Sequence, residues 1–436
     1  MIDIAVIGSG ISGLSVAWHL SKKGFEVKVF EKEDLPGGNI QTVKKDGFIL
    51  ELGPQTILAD KRVEEFLSGA GIEPEYASER AKIRYIYKKG RLIPLPLSPL
   101  SFLKSPLLSL SGKIRVLKEP FVAPSIKPEE SIAEFVIRRL GKEFHDYIVA
   151  PFISGVYAGD TEKLSVKYAV RRVYELERNF GSLIKGAIKL KALGPAGRLI
   201  SFQGGNHTLI ERLSSELSVD TENVVLKIRR KDDRFIIDAK KGKYESKAVV
   251  ISAPATSAGY LLRDISWSAS QEFDQIYYAP VVVVYASVEK GSIPEGFGFL
   301  VPRVEGKRML GVLFSSQIFA GRSPEGKELL TIYLGGATDP EVVEYEDELI
   351  YSLVERELKE ILRIDKVQFL NLTRWKRAIP QYTLGYGKYL DLAKTLEGEN
   401  PGLFLTGNYL YGVSVADCIR ASYEVAEKAE RFLTKR

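Results

Sequence analysis

Ile2-Asp3-Ile4-Ala5-Val6-Ile7-Gly8-Ser9-Gly10-Ile11-Ser12-Gly13, residues 2–13, is the stretch that decides the fold. Its first six residues form a short apolar run suited to a buried parallel strand. They lead directly into three glycines spaced G-x-G-x-x-G, after which Leu14, Ala17, Trp18 and Leu20 carry a helical pattern. FEVKVFE at 25–31 reads as a second strand ending at Glu31. Strand, glycine turn, helix, strand is the order a dinucleotide site requires. Gly8 permits the tight turn, Gly10 lets the backbone approach a pyrophosphate, and Gly13 lets helix and strand pack closely. The diphosphate then sits on the helix N-terminus, at Ile11 and Ser12. Glu31 stands where a carboxylate accepts hydrogen bonds from a ribose diol.

The fingerprint alone does not separate FAD from NAD. Gly37 and Gly38, just past the second strand, offer backbone donors and close approach to a long, two-part cofactor. Asp46-Gly47-Phe48 reads as a turn into the strand FILEL, followed by Gly53-Pro54. The chain then has to return to this domain. KYESKAVVISAPA at 243–255 ends as a strand with a breaking proline, and LFLTGNY at 403–409 is an apolar strand meeting Gly407. An amphipathic helix is expected from Ser414 to Phe432, its start a second place to hold phosphate or flavin polar atoms.

The pieces in between predict a second sheet. VVLKIRR and RFIIDAK, joined at Lys231-Asp232-Asp233, read as a hairpin. PVVVVYASV, MLGVLFSS and LLTIYLGG read as strands of a largely antiparallel sheet, and EDELIYSLVERELKEIL at 346–362 as a helix.

Composition bounds the chemistry. At 436 residues and 45% hydrophobic content, the chain is long enough for two or three cores. One cysteine excludes an internal disulfide framework and a multi-cysteine metal or iron–sulfur site. The three histidines, His19, His145 and His207, are far apart, so no metal site is expected. His207 follows a glycine turn and reads as structural. A net charge of +6 is modest for this length and does not imply nucleic acid. The opening strand leaves no visible secretory signal, and no apolar run is long enough to span a bilayer, so a cytoplasmic protein is expected.

Lys82 to Lys118 contains nine Lys or Arg residues and no Asp or Glu, around LIPLPLSPLSFLKSPLLSL. Its prolines prevent one long helix. Exposed leucines beside lysines suit the headgroup boundary of an anionic membrane. An internal segment packed against another domain, or the mouth of a pocket for an apolar carboxylated substrate, fits equally. Arg84 and Arg91 are then positioned to pair with carboxylates.

The ordered motifs VIGSGISGLSVAWHL, PGGNIQTVKKDGFILELGP, PFISGVYAGDTEKLSVKYA, ELERNFGSLIKG, FQGGNHTLIERL, VISAPA, GFGFLVPR, AIPQYTLGY and LFLTGNYLYGVSVADCIRAS run almost end to end. Together they resemble the FAD-containing protoporphyrinogen and coproporphyrinogen oxidases of haem synthesis. The first and last pieces also resemble the wider amine-oxidase and phytoene-desaturase superfamily.

The resemblance implies an α/β fold: a Rossmann-like FAD-binding domain of p-cresol-methylhydroxylase-like topology, a mixed or antiparallel-sheet substrate domain, and an inserted, mostly helical membrane-associating domain. The expected division is 1–80, 193–258 and 376–436 for the FAD domain, 81–192 for the helical insertion and 259–375 for the substrate domain. It implies FAD as cofactor, a porphyrinogen as substrate, molecular oxygen as acceptor, a homodimer, and peripheral contact with the cytoplasmic membrane face. Six electrons and six protons leave a porphyrinogen in three rounds, with hydrogen peroxide as by-product. Protoporphyrinogen IX is the favoured substrate and coproporphyrinogen III the alternative.

By the same resemblance, Gly8, Gly10, Gly13 and Glu31 hold the ADP half of the cofactor. Gly37, Gly38, Asn39 and Gly53 lie along the flavin side, with Gly407, Val413, Ser414 and Val415 from the C-terminal segment. Arg84 meets a substrate propionate, Gly159 and Asp160 lie near the active cavity, and Phe297 and Leu300 sandwich the macrocycle. No obligatory catalytic side-chain base is implied.

Overall fold

The computed structural model describes residues 1–190 and 197–435. The expected boundary between 192 and 193 lies outside the described residues. The Ile2–Ile7 strand is central in a sheet, parallel to Val27–Phe30 on one side and to Gly242–Ile251 on the other. Ser218–Asp220 extends the sheet beyond Val27–Phe30, also parallel. Strand Gly242–Ile251 changes partners along its length. Its first half pairs antiparallel with Arg234–Ala239, while Val249, Val250 and Ile251 pair parallel with Leu403, Phe404 and Leu405. Segments from the beginning, middle and end of the chain thus close one sheet.

The sheet is buried on both faces, so its strands are near-continuous apolar runs rather than alternating ones. One core holds Ile4, Val6 and Val29 against the helices Ile11–Lys22 and Val415–Thr434, through Leu14, Ala17, Ile419 and Ala426. The opposite core holds Ala5, Ile7 and Phe30 against Leu261, Phe273 and Tyr386.

The second sheet runs in the order Gln368–Pro380, Tyr278–Glu289, Lys327–Gly335, Met309–Phe314, Gly298–Leu300, Arg84–Lys88, Arg91–Pro94. Most of its ladders are antiparallel, as the three runs 280–288, 309–316 and 329–336 predict. Helix Asp347–Leu362 covers one face through Ile350, Val354 and Leu358.

Two expectations about where pieces belong are corrected. Residues 84–94, expected within a mostly helical insertion, form a hairpin that joins the second sheet, with Arg84, Tyr85 and Ile86 parallel to Gly298, Phe299 and Leu300. The strand Arg84–Lys88 is covered on both faces at its centre, with Tyr87 in the core of that sheet and Ile86 buried at the wall of the cavity described below. The strand Gln368–Pro380 also crosses the expected boundary at 375, because Ile379 and Pro380 still pair with Ala279 and Tyr278.

The rest of 99–189 is helical. Buried Arg139 holds several of its helices together, pairing with Glu119 and Glu177 and donating to the Gly181 carbonyl at 2.8 Å. Glu119 also accepts from the Ser182 hydroxyl at 2.6 Å and from the Leu183 and Ile184 amides. These contacts hold its carboxyl below the ordinary range against the opposing effect of burial.

Candidate functional site

One cavity of about 2020 Å³ runs from the glycine turn at residues 8–13 to the second sheet. Pockets for drug-sized ligands measure roughly 300–1,000 Å³, so this space suits a dinucleotide together with a broad second molecule. Gly8, Gly10, Ile11, Ser12, Glu31, Gly37, Gly38, Asn39, Gly53, Gly407, Val413, Ser414 and Val415 all line it, as do Arg84, Phe297 and Leu300.

The glycine turn is built for close approach. A Cβ on Gly13 would overlap the Gly8 carbonyl oxygen and Ser252 Oγ, so helix and strand meet at backbone distance only with glycine here. Ser252 Oγ donates to the Ile7 and Gly8 carbonyls at 2.9 and 2.8 Å, closing the turn from the far strand. Gly10 differs: it has φ −66°, which any residue adopts, and a Cβ there would meet no atom within 4 Å. The space a side chain would fill at Gly10 is therefore cavity, not protein. The helix that follows has no side-chain cap and no acid in its first turn, which leaves its N-terminal amides and positive dipole end for an anion. Gly10 also bridges to Gly37 across the turn, and the Gly37 amide donates to the Ser9 carbonyl at 3.0 Å.

Glu31 is 7% exposed and already engaged. One of its carboxylate oxygens accepts from the Ser9 amide and hydroxyl at 2.9 and 2.5 Å, the other from the Lys32 and Glu33 amides at 2.8 and 3.0 Å. A carboxylate offers about four acceptor sites, so a ribose diol reaches Glu31 by displacing one of these donors.

At the other end of the cofactor segment, Ser414 caps the helix Val415–Thr434. Its hydroxyl accepts from the Asp417 amide at 3.0 Å while Asp417 accepts from the Ser414 amide and hydroxyl. The preceding loop is pinned by tyrosines of the AIPQYTLGY motif. Tyr382 donates to the Asn408 carbonyl at 2.7 Å and accepts from the Gly412 amide at 2.9 Å, and Tyr386 donates to the Tyr409 carbonyl at 2.9 Å. Burial raises both phenol pKa values far above the ordinary range, so both hydroxyls stay protonated donors.

The open turn, the uncapped helix start and this pinned second helix fit an extended dinucleotide bearing a diphosphate and a polar ring system. The residues that would hold it are the glycines and helix starts just described.

Apolar walls dominate the second-sheet end. The Phe297 amide donates to the Ile83 carbonyl at 2.7 Å, which ties GFGFLVP to the strand bearing Arg84. The Arg84 guanidinium lies 4.7 Å from the centre of the Phe297 ring. Burial lowers its pKa from the usual arginine value, and it has no carboxylate partner among the described residues. Phe297 and Leu300 are half-buried between more buried neighbours, and Tyr333, Trp375 and Ile379 complete the walls.

Gly159 and Asp160 do not line the cavity. The helix Ala150–Tyr157 ends at Ala158, with φ 48°, and the chain turns away there. A Cβ on Gly159 would overlap Leu164, and Asp160 Oδ1 accepts from the Glu162 amide at 2.9 Å, so both shape the following turn. The same motif reaches the cavity one turn earlier, through Phe152, Gly155 and Val156. A Cβ on Gly155 would meet Leu300 at 2.5 Å, which makes it the point where this helix touches the second sheet. Recognising the left-handed stop after Tyr157 would have selected Gly155. Gln55, Tyr333 and Trp375 carry no comparable sequence signal. His207 lines the cavity with Nδ1 2.9 Å from the Ile40 carbonyl, a structural contact. Among the described residues no group of His, Cys, Asp and Glu forms a metal site.

Comparison with known proteins follows the same outline. Residues 11–429 match the model of a family described as flavin containing amine oxidoreductase. The chloroplastic protoporphyrinogen oxidase of Nicotiana tabacum is 32% identical, over 100% of this chain and 86% of its own length. The coproporphyrinogen III oxidase of Bacillus subtilis (strain 168) is 28% identical, over 99% of this chain and 98% of its own. Among solved structures, reduced UDP-galactopyranose mutase superposes with a TM-score of 0.77 at 16% identity, covering 100% of this chain and 96% of that one, a likeness of fold.

Proposed function

Since the chain belongs to the flavin-containing amine oxidoreductases, in the branch of the protoporphyrinogen oxidases, we propose that it oxidises protoporphyrinogen IX to protoporphyrin IX with FAD and molecular oxygen. The observation that carries this is the single cavity joining the dinucleotide turn to an apolar slot with one unpaired guanidinium stacked over Phe297. An apolar slot suits a broad, flat macrocycle, and a guanidinium beside it suits a propionate. FAD, when bound, supplies the two-electron acceptor. The chain's own residues bind and orient. Backbone amides at Gly10 to Ser12 hold the diphosphate, the start of the helix Val415–Thr434 faces the flavin side, and Phe297 and Leu300 exclude water from the ring. Arg84 fixes the substrate by a carboxylate and takes no part in proton transfer.

Coproporphyrinogen III is the second reading, supported by the Bacillus subtilis relative and by further unpaired arginines at the cavity. Steady-state oxidation of both porphyrinogens, followed by porphyrin fluorescence, tests the function. A larger kcat/KM for protoporphyrinogen supports the first reading, and turnover of neither rejects both.

The proposal extends to peripheral membrane contact by the mostly helical segment at 95–189, and to a p-cresol-methylhydroxylase-like topology for the FAD domain. Leu97, Leu100 and Leu110 are 73%, 63% and 75% exposed beside Lys104 and Lys113, which supports a surface seated among anionic headgroups. Among the described residues no helix is long and apolar enough to cross a membrane. A cytoplasmic location and a homodimer belong to the same proposal, the latter checked by light scattering.

A further inference from the structure

Among the described residues four arginines line the cavity, and they are of two kinds. Arg420 is engaged within the protein: one nitrogen donates to Asp60 at 2.7 Å and another pairs with Asp417. Arg84, Arg172 and Arg377 have no carboxylate partner among the described residues. A guanidinium is charged at every accessible pH and presents a planar fork of donors matched to a carboxylate. Arg84 is half-buried while Arg172 and Arg377 are exposed, and the three together form a receiving set at this cavity for an anion with several carboxylates.

They come from three separate elements. Arg84 opens the strand Arg84–Lys88, beside Phe297. Arg172 lies in the first turn of the helix Arg171–Phe180, where the helix dipole disfavours a cation. Its neighbour Arg171 is compensated by Glu175 at 2.7 Å, four residues on, whereas the position four beyond Arg172 is Leu176. Val173, next to Arg172, packs in one apolar cluster with Ile153 of the helix Ala150–Tyr157. That helix presents Phe152 and Val156 to the cavity, so Arg172 stands at the same wall.

Arg377 reaches the cavity through an irregularity in the outer strand. Ile379 pairs with Ala279 and Trp375 with Val281, so Pro280 alone faces Lys376, Arg377 and Ala378. Pro280 has no amide to give to the ladder, and the strand bulges opposite it. Bulges of this kind re-aim side chains beside functional sites.

We propose that Arg172 and Arg377 are carboxylate-binding residues of the substrate end, additional to Arg84, and that they set how many carboxylates the site recognises. The proposal rests on the porphyrinogen reading above. Coproporphyrinogen III carries four propionates and protoporphyrinogen IX two. Three guanidiniums on different walls exceed what two carboxylates engage, so Arg172 and Arg377 serve the tetracarboxylate more than the dicarboxylate.

The test uses FAD-loaded enzyme with Arg172→Ala, Arg377→Ala, the double variant and Arg172→Lys, each assayed on both porphyrinogens. Loss of one solvent-accessible charge-assisted contact predicts a KM for coproporphyrinogen raised about 5- to 20-fold per alanine, with kcat unchanged. The change for protoporphyrinogen stays under about 3-fold. Arg172→Lys restores part of the loss because the charge remains while the fork is gone. The salt dependence of KM for coproporphyrinogen flattens in the double variant. Equal losses on both substrates, or no loss on coproporphyrinogen, overturn the assignment. Wild-type enzyme that turns over neither substrate defeats the functional reading instead, and an unchanged FAD absorbance ratio and Tm exclude misfolding as the cause.

Discussion

Gly10 and Gly13 lie three residues apart in one turn, yet the structure assigns them opposite sensitivities. At Gly10 the backbone is extended with φ −66°, and a Cβ would find nothing within 4 Å. Gly10→Ala therefore leaves the apoprotein intact and, by reducing the freedom of the unfolded chain, stabilises it by up to about 1 kcal/mol. Its methyl group does, however, project into the space where a diphosphate meets the helix start. Losing one or two charge-assisted backbone contacts, each worth about 1.5–3 kcal/mol, weakens FAD binding on the order of 10- to 10,000-fold. At Gly13 a Cβ overlaps the Gly8 carbonyl and Ser252 Oγ. The first of these is backbone and cannot rotate away, so helix and strand must separate. Overpacking of this kind costs about 1–3 kcal/mol or more in the apoprotein itself. Thermal melting of the two apoproteins, followed by FAD titration monitored through flavin fluorescence quenching, separates the cases. The expected pattern is an unchanged or raised Tm with lost FAD affinity for Gly10→Ala, and a lowered Tm for Gly13→Ala before any FAD is added. Wild-type FAD affinity in Gly10→Ala refutes the placement of the diphosphate. A lowered apoprotein Tm in the same variant refutes the reading of that space as cavity.

Arg84→Ala raises KM for a porphyrinogen about 10-fold or more with little change in kcat, because Arg84 orients rather than reacts; unchanged steady-state constants on both substrates remove it from the site. Gly155→Leu drives a side chain into Leu300 and narrows the slot, so porphyrinogen turnover falls while FAD stoichiometry, read by absorbance, stays at one; retained kcat/KM counts against Leu300 as a wall. Replacing Leu97, Leu100 and Leu103 with serine abolishes flotation with anionic liposomes; equal flotation rejects the membrane contact. His19 packs with its ring 4.3 Å from that of Tyr423, and burial lowers its pKa to about 4. Below about pH 6.5 the unfolded chain takes up a proton that the folded protein refuses until near pH 4, so stability falls as pH drops through that window. The loss between pH 7 and 5 is about 1–2 kcal/mol, and His19→Phe, compared with wild type by thermal melting at both pH values, flattens it; an unchanged pH slope refutes this.

The elements legible in the sequence are those whose pattern has a local cause. The run Ile4–Ile7 is apolar throughout because that part of the strand is covered on both faces, and the turn at Asp46-Gly47 shows itself because both residues have positive φ, at 50° and 80°. The helix from Ser414 is legible through its amphipathic spacing of Val415, Ile419, Ala426 and Ala429, all of which the fold buries. The hairpin at 84–94 is not, because the strand that draws it into the second sheet, Gly298–Leu300, lies more than two hundred residues away and the hairpin's lysines and arginines read as a surface segment. The SGVYAGD motif holds two glycines, and only the left-handed turn at Ala158, after the helix Ala150–Tyr157, shows that Gly155 rather than Gly159 reaches the cavity.

The unpaired arginines show the limit from the other side. Arg171 and Arg172 are adjacent and identical in type, yet one faces Glu175 and the other faces the cavity. Charge composition cannot separate them, since the distinction is the absence of a partner, and a partner is a matter of three-dimensional neighbours. The same holds for Arg377, exposed to the cavity by a bulge whose cause, Pro280, sits on a different strand almost a hundred residues earlier. Binding residues of this class are recovered by asking which charges the fold leaves uncompensated around a space. Arg84, half-buried beside Phe297, carries a desolvation cost that the fold alone does not repay, whereas Arg172 and Arg377 are exposed and solvated. Such a cost persists where a ligand carboxylate offsets it, and Arg172 and Arg377 stand at the same cavity with no carboxylate partner among the described residues.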